Sequence, residues 1–523
     1  MSGASLHFVD YLIIVLSLVI TFWFGVRFSK KNTNTEQYFA AGGNIPAWAV
    51  GMSIFATLIS SVTFLAYPGE GYKSNWILLV QGFMVPVVLL FSIRFIVPLY
   101  RDVIGLSAYE YFEKRFGYLA RVYGSLGFIF AHFSKMGSVL FLLALALSSM
   151  THVDTLTIIW IIGIAIVFIT LFGGMEAVIW LDVIQGFLLI LGGIVAIAVI
   201  LLKTDGGLGA IVNYAVDHDK IGFGPYDFDF VNLTFWVMAI NGIFYAIQKY
   251  GADQTIVQRY LTAKSDKEAI KASILGIGIT VPVWITFMFI GTALFSFYGL
   301  NSGIGLPEGI KSDAVFPHFI MTQLPPGLIG LILSALIAAA ISSLDADLNC
   351  LAAVGVDDYY KRLYPNSSGA QQLRMGKILV VVAGLAAILI ASFYVFAGEN
   401  DGILSTVFML YAIFSGGIAG MLLLGLFVNR ANRKGLNVGL VACILFTGYA
   451  LMTSTSMGTG AQRHLILDLG EYNFTHHKYM LGVYSHFVLF FVGWIASYCF
   501  PKKDVPKHLT YYGYLEKKRK GLI

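Results

Sequence analysis

Residues 51–72 read GMSIFATLISSVTFLAYPGEGY. The stretch is apolar enough to lie in lipid, yet Thr57, Ser60, Ser61 and Thr63 gather in its middle and Pro68-Gly69 closes its far end. That pattern predicts a span whose helix breaks. Irregular backbone at membrane depth survives only where protein buries it or where it lines a watery cavity. The segment therefore predicts an all-α membrane protein built around an unwound span.

The rest of the chain agrees with a bilayer as solvent. Hydrophobic residues make up 58% of the 523 positions, aromatics 15% and charged residues 12%, more apolar surface than a soluble domain of this length can hide. A spanning helix needs roughly 20 mostly apolar residues. Thirteen such stretches are expected, near 8–27, 46–68, 76–100, 118–150, 155–172, 176–202, 230–251, 269–298, 325–356, 375–397, 404–428, 436–455 and 478–500. The first reads as a retained span and not a signal peptide: it contains Asp10, lacks an Ala-x-Ala site, and is followed by Arg27, Lys30 and Lys31.

Cytoplasmic loops carry the excess of Lys and Arg. An outside N-terminus and a cytoplasmic C-terminus place Arg27/Lys30/Lys31, Arg101/Lys114/Arg115, Arg259/Lys264/Lys267, Lys361/Arg362/Arg374/Lys377, Arg430/Arg433/Lys434 and the basic tail inside. The outer segments keep Lys73, Lys203, Lys220, Lys311, Arg463 and Lys478. The net charge of +5 then reports topology, with a basic tail lying on an anionic inner leaflet, and no nucleic-acid surface. Residues 1–500 are expected to form a single transmembrane domain, followed by a cytoplasmic tail over 501–523. The loops are too short to fold as an enzyme, and no Ser/His pair or HExxH motif lies in the spans, so no enzyme activity is expected. Cys350, Cys443 and Cys499 match no metal or redox spacing and are read as packing residues within spans.

The seventh stretch, FWVMAINGIFYAIQKYGADQ at 235–254, carries Asn241-Gly242 in its middle and a polar run from Gln248. It too is expected to break. Interrupted spans at corresponding places, here five apart, point to an inverted-repeat transporter with its site at the midplane.

Charges inside spans cost several kcal/mol unless paired, hydrated or bound to an ion. Asp182 lies in the sixth span, and Asp345 and Asp347 in the ninth, just after Ser342 and Ser343. Each is either a buried salt bridge that locks helices or part of an ion site. A hard monovalent cation prefers oxygen ligands, which Ser342, Ser343 and Asp345 offer about one helical turn apart, joined by carbonyls that the unwound second span frees, such as those of Ala56 and Ile59. Close packing is the other reading of the paired serines. Lys135 and Lys249, inside the fourth and seventh spans, either neutralise an aspartate or hold an anionic group on a solute. His132 reads as a satisfied packing residue.

The motifs YFAAGGNIPAWAVGMSIFAT (38–57), GGMEAVIWLDVIQG (173–186), DQTIVQRYLTAKS (253–265), AAAISSLDADLN (338–349) and DDYYKRL (357–363) together resemble the sodium/solute symporter family. FATLISSVTFLAYP and SAYEYFEKRF (107–116) are most similar to its bacterial sodium/sialic acid branch, with sodium/galactose carriers also akin. The resemblance implies a LeuT-type 5+5 inverted repeat with one extra N-terminal and two extra C-terminal helices, which accounts for about thirteen spans. It implies Na+ as the coupling ion, held by the carbonyls of Ala56, Ile59 and Ala339 and the hydroxyls of Ser342 and Ser343. A candidate second cation site comprises Asp182, Ser342 and Asp345, where Asp345 and Ala346 depart from the serines of the two-sodium design. Ser60, Thr63, Gln81, Lys135 and Lys249 are the expected solute contacts, although Leu58 replaces a hydroxyl residue, Lys135 replaces an arginine, and Gln81 is one position from the expected glutamine. Tyr250 is the expected inner gate. The implied function is sodium-driven import of a small solute, an acidic sugar of the sialic acid or uronate type, by alternating access in the plasma membrane. A neutral monosaccharide and proton coupling are the alternatives. The expected partners are solute, sodium ions and lipid, the expected state a monomer.

Overall fold

The computed structural model describes residues 6–29, 34–301, 303–397, 416–457, 464–501 and 506–520. Among them eight helices are long and apolar enough to cross a membrane, and nine when one sharply bent pair counts as a single span. That pair is the opening stretch: Ala47–Leu58 and a second helical arm over residues 62–73 meet at 60°. Ile59 leaves the helical region (φ −100°, ψ 115°), a wide π turn follows over Val62–Ala66, and the chain continues into Tyr67–Lys73. The hydroxyl run thus marks the break, and Pro68 sits where proline is tolerated, in the first turn of Tyr67–Lys73.

Other spans depart from the expected list. The stretches 155–172 and 176–202 form one helix, Thr155–Lys203, whose path is divided at Gly174 (φ 65°, ψ −177°), a conformation that only glycine adopts without strain. The seventh span does not break in its middle. Phe235–Gly251 runs as an unbroken helix through Asn241-Gly242, because the Asn241 amide donates to the Tyr479 carbonyl at 3.0 Å instead of competing for its own backbone. Its polar run marks the end of that helix at Ala252, before Gln254–Thr262 begins. Cys350 and Cys443 are buried, but Cys499 is exposed in a short turn beyond its helix. The first part of the eleventh stretch lies outside the described residues, and Ile418–Phe427 is its inner portion.

The chain divides into two compact units. The first holds Met1–Gly82, His132–Phe223 and Gln258–Val407. Its centre is the helix Leu328–Val354, buried along nearly its whole length and packed on Thr155–Lys203 and on the first helix, Phe8–Ser29. Asp10, the charge in that first helix, is wholly buried and accepts the N–H groups of Gly327 and Gly330 at 2.7 and 2.8 Å. It thereby satisfies donors that a helix start leaves open.

Both arms of the broken span lie along the helix Asp266–Leu300, and glycines permit the approach. A Cβ on Gly51 would crowd the Ala272 carbonyl, and one on Gly291 would fall on the Pro68 carbonyl. Ser265 caps this helix and Glu268, three residues on, reaches the Ala47 N–H at 3.2 Å, the first donor of the inner arm.

The second unit holds Phe83–Ala131, Gly224–Val257 and Phe408–Ile523. Lys478–Ala496 packs against Arg433–Ser454, Ile418–Phe427 and Phe235–Gly251. Arg115 from SAYEYFEKRF donates to the carbonyls of Gly425, Val428 and Ala431 at 3.0–3.1 Å, closing a helix end whose acceptors have no helical partner. The tail forms a helix, Tyr511–Arg519. Its Tyr511 ring packs on Phe95 and Phe427, and Lys517 pairs with Asp102 at 2.9 Å.

Candidate functional site

The Asp182 carboxylate is wholly buried and has three donors. Ser53 Oγ and Arg259 Nη2 reach Oδ2 at 2.5 and 3.0 Å, and Ser342 Oγ reaches Oδ1 at 2.5 Å. Arg259 Nε also donates to Ser53 Oγ at 2.8 Å. Arg259 is therefore no cytoplasmic loop charge, as the topology count took it to be. It is completely buried, and it withdraws one residue from that count. Neither Arg259 nor Ser53 was foreseen as a site residue. The available signal was an intramembrane acid with no base in its own span, together with an arginine framed by Ile256, Val257 and Tyr260.

Four positions after the Asp182-bound Ser342 comes Ala346, and between them Asp345 stands wholly buried with no hydrogen-bond partner on either oxygen among the described residues. Two carboxylates and one guanidinium leave this buried cluster with one negative charge in excess, an arrangement that suits a monovalent cation. The neighbouring Gln185 side chain is likewise buried without partners.

Ser343 points the other way. Its hydroxyl lies 3.4 Å from both the Thr57 and Ile59 carbonyls, at the break of the second span. Because the inner arm stops at Leu58, its last carbonyls have outrun their helical donors. Backbone carbonyls and a serine hydroxyl meeting at a helix break form an all-oxygen environment suited to a hard cation. Ala56, Ile59, Ala339, Ser342 and Ser343 are all buried in the same unit, and the chemistry of that oxygen donor set suits sodium. Among the described residues the buried Thr57 hydroxyl has no hydrogen-bond partner.

Of the expected solute contacts, Ser60 occupies the break itself, where its hydroxyl accepts the Val62 N–H at 3.2 Å. Thr63 lies in the π turn, and Gln81 in the first turn of Leu79–Val103 has a buried Oε1 with no partner among the described residues. Lys135 is not a bare charge. Its Nζ donates to Asp347 Oδ1 at 3.2 Å and lies 3.0 Å from Oδ2. His132 Nδ1 meets Oδ1 of the same carboxylate at 2.9 Å. Asp347 thus faces the fourth span, about 100° per residue removed from Asp345. In the second unit Lys249 is bound to Asp253 at 2.8 Å and to the Thr255 hydroxyl at 3.0 Å, while Tyr250 is fully buried next to it. Gln258 Nε2 donates to Asn349 on the central helix at 3.0 Å and to the Phe39 carbonyl, on Thr35–Ala40, at 2.5 Å.

This geometry can be set beside known proteins. The chain is 34% identical to the sodium/sialic acid symporter NanT of Aliivibrio fischeri, over 85% of its own length and 88% of that protein's. It is also 34% identical to the sodium/sialic acid symporter SiaT of Proteus mirabilis, over 84% and 88%. A solved structure of a Na+-coupled sialic acid symporter, substrate-bound and outward-open with a novel Na+ site, superposes with a TM-score of 0.85 at 31% identity, covering 95% of this chain and 100% of that one. Residues 38–443 match the sodium:solute symporter family, and with its buried oxygens gathered at a broken span the chain belongs to that family, with Na+ as its coupling ion.

Proposed function

We propose that the protein imports an acidic sugar of the sialic acid or uronate type together with sodium, by alternating access. The observation that carries the sodium part is the Ser343 hydroxyl placed against the Thr57 and Ile59 carbonyls. External sodium, held there by Ala56, Ile59, Ala339, Ser342 and Ser343, orders the broken span against the central helix and so completes the solute site near Ser60, Thr63, Gln81 and Lys135. Ion and solute then stabilise one another by a reciprocal coupling of about 1–3 kcal/mol. The membrane potential supplies about 2.3 kcal/mol per charge per 100 mV. Asp182, Ser342 and Asp345 form the second cation site, and Tyr250 the inner gate, with Lys249 in its support.

The acidic-sugar reading draws on the two bacterial relatives and on the lysine at position 135. The Lys135–Asp347 ion pair favours a second reading, a neutral monosaccharide, since the cation is already matched. Architecture is part of the proposal: thirteen spans in a LeuT-type inverted repeat flanked by one and two extra helices, forming one transporter domain over residues 1–500. The Gly174-divided helix taken as two spans and the three shorter helices Phe8–Ser29, Phe235–Gly251 and Ile418–Phe427 supply the four beyond the nine noted above. The N-terminus is outside, the tail cytoplasmic, the membrane the plasma membrane, and the working unit a monomer.

The test is uptake of labelled sialic acid and of a uronate into proteoliposomes, with and without an inward sodium gradient, for the native chain and Ser343→Ala. Sodium-dependent uptake that collapses in the variant is expected. Uptake indifferent to sodium refutes the mechanism, and sodium-driven uptake of neutral sugars alone refutes the acidic-sugar reading.

A further inference from the structure

Buried charge around Lys135 is arranged in a way that bears on selectivity. His132 and Lys135 are three residues apart on Tyr118–Thr151, so they share one face of that helix. Both reach the same carboxylate, Asp347, on Leu328–Val354. Asp347 is fully buried, His132 is 1% exposed, and the Lys135 side chain is 19% exposed. Of the three side chains, Lys135 alone keeps appreciable exposed surface.

We propose that Asp347 is a specificity-determining residue, a fixed counter-ion that sets how much positive charge Lys135 presents to the solute. The inference rests on the reading of Lys135 as a solute contact. An ammonium has three donors and no acceptor. With Asp347 Oδ1 taking one of them and Oδ2 close by, a solute carboxylate meets the outer side of an ion pair and not an isolated cation. An ion pair attracts an anion weakly but still offers a hydrogen-bond donor to a carboxylate, an ester or a hydroxyl. His132 holds Oδ1 from the other side, which fixes the carboxylate against the lysine. The buried charge also explains why lysine is adequate here. A guanidinium would match a carboxylate on each side of its fork, whereas a point charge serves one internal partner and leaves a single donor outward.

Asp347 lies four residues beyond Ser343 on one helix, so the counter-ion stands one helical turn from the proposed sodium site.

Asp347→Asn keeps the shape and removes the charge, leaving Lys135 with a full unmatched charge. Sodium-driven uptake of sialic acid and of its neutral methyl ester is measured in proteoliposomes for the native chain, Asp347→Asn and Asp347→Glu. The expected result is a shift of the acid-to-ester ratio of kcat/KM towards the acid by about tenfold or more in Asp347→Asn, carried mainly by KM, with Asp347→Glu restoring the native ratio. A tenfold shift corresponds to about 1.4 kcal/mol. A sodium-dependent Asp347→Asn protein with the native ratio overturns the inference and leaves Asp347 a structural residue. Should that variant not fold, Lys135→Gln/Asp347→Asn decides, because removing both partners of a buried pair is often tolerated: it should carry acid and ester at similar rates, and a retained native ratio overturns the inference. A native chain that carries the ester but no acid sinks the acidic-sugar reading first, a result distinct from an unchanged ratio.

Discussion

Arg259→Met tests the buried pair that anchors Asp182. In the native chain the guanidinium and the carboxylate are 3.0 Å apart and neither is exposed. At an effective dielectric near 20, unit charges at that distance attract by about 5 kcal/mol. Removing one partner of such a pair typically costs about 3–5 kcal/mol, because the other charge stays buried and unmatched. Methionine fills the guanidinium's space, so little of the loss comes from a cavity. Asp182 would retain Ser53 and Ser342 as donors, which places the expected loss at the lower end, about 3 kcal/mol. Asp182→Asn should cost a similar amount by stranding Arg259, and the double variant should recover most of it, giving an interaction energy of about 2 kcal/mol or more in the cycle. The assay is equilibrium unfolding in mixed detergent micelles, followed by tryptophan fluorescence, for all four proteins. Single variants within about 1 kcal/mol of native, or losses that simply add, would refute the claim that this pair holds the helices together.

Ser342→Ala removes a donor to Asp182 and an oxygen from the proposed sodium site. A hydrogen bond to a charged group is worth about 1.5–3 kcal/mol, so half-saturating sodium should rise at least tenfold in uptake titrations, and an unchanged sodium curve counts against the site. Gly291→Ala places a methyl group on the Pro68 carbonyl. Forcing the outer arm off its neighbour should cost about 1–3 kcal/mol, read as lower thermal stability in detergent, and a native-like stability would show that the arm is free to shift. His477 caps Lys478–Ala496 with a ring nitrogen that accepts the Tyr479 N–H, and burial, with Lys478 beside it, lowers its pKa from 6.5 to about 4. The folded loop thus refuses a proton that the open loop accepts below pH 6.5. Its contribution is complete above pH 6.5 and fades as pH falls towards 4. Hydrogen-exchange protection factors around residues 476–480, referred to the intrinsic rate at each pH, should therefore fall over that window, and His477→Asn should flatten the response.

The sequence by itself determined that a bilayer surrounds this chain, where most helices run, and where the second span breaks. Those properties are local: apolar length selects the helix, and hydroxyls ahead of Pro-Gly mark the place where its hydrogen-bond ladder stops. Spacing along Ser342, Ser343, Asp345 and Asp347 also marked a helix crowded with chemistry. Partners were a different matter. Arg259 read as a loop charge because its neighbours in sequence are polar at Gln258 and basic at Lys264, and its true environment comes from Asp182, 77 residues away. Asn241-Gly242 read as a break because the carbonyl that satisfies Asn241 belongs to Tyr479, 238 residues on. Lys135 could be read either as an aspartate's partner or as a solute contact, because the Asp347 that pairs with it reaches it from another helix. In lipid a buried charge takes its meaning from whatever lies within about 4 Å of it, and only the tertiary packing of helices distant in sequence decides what that is.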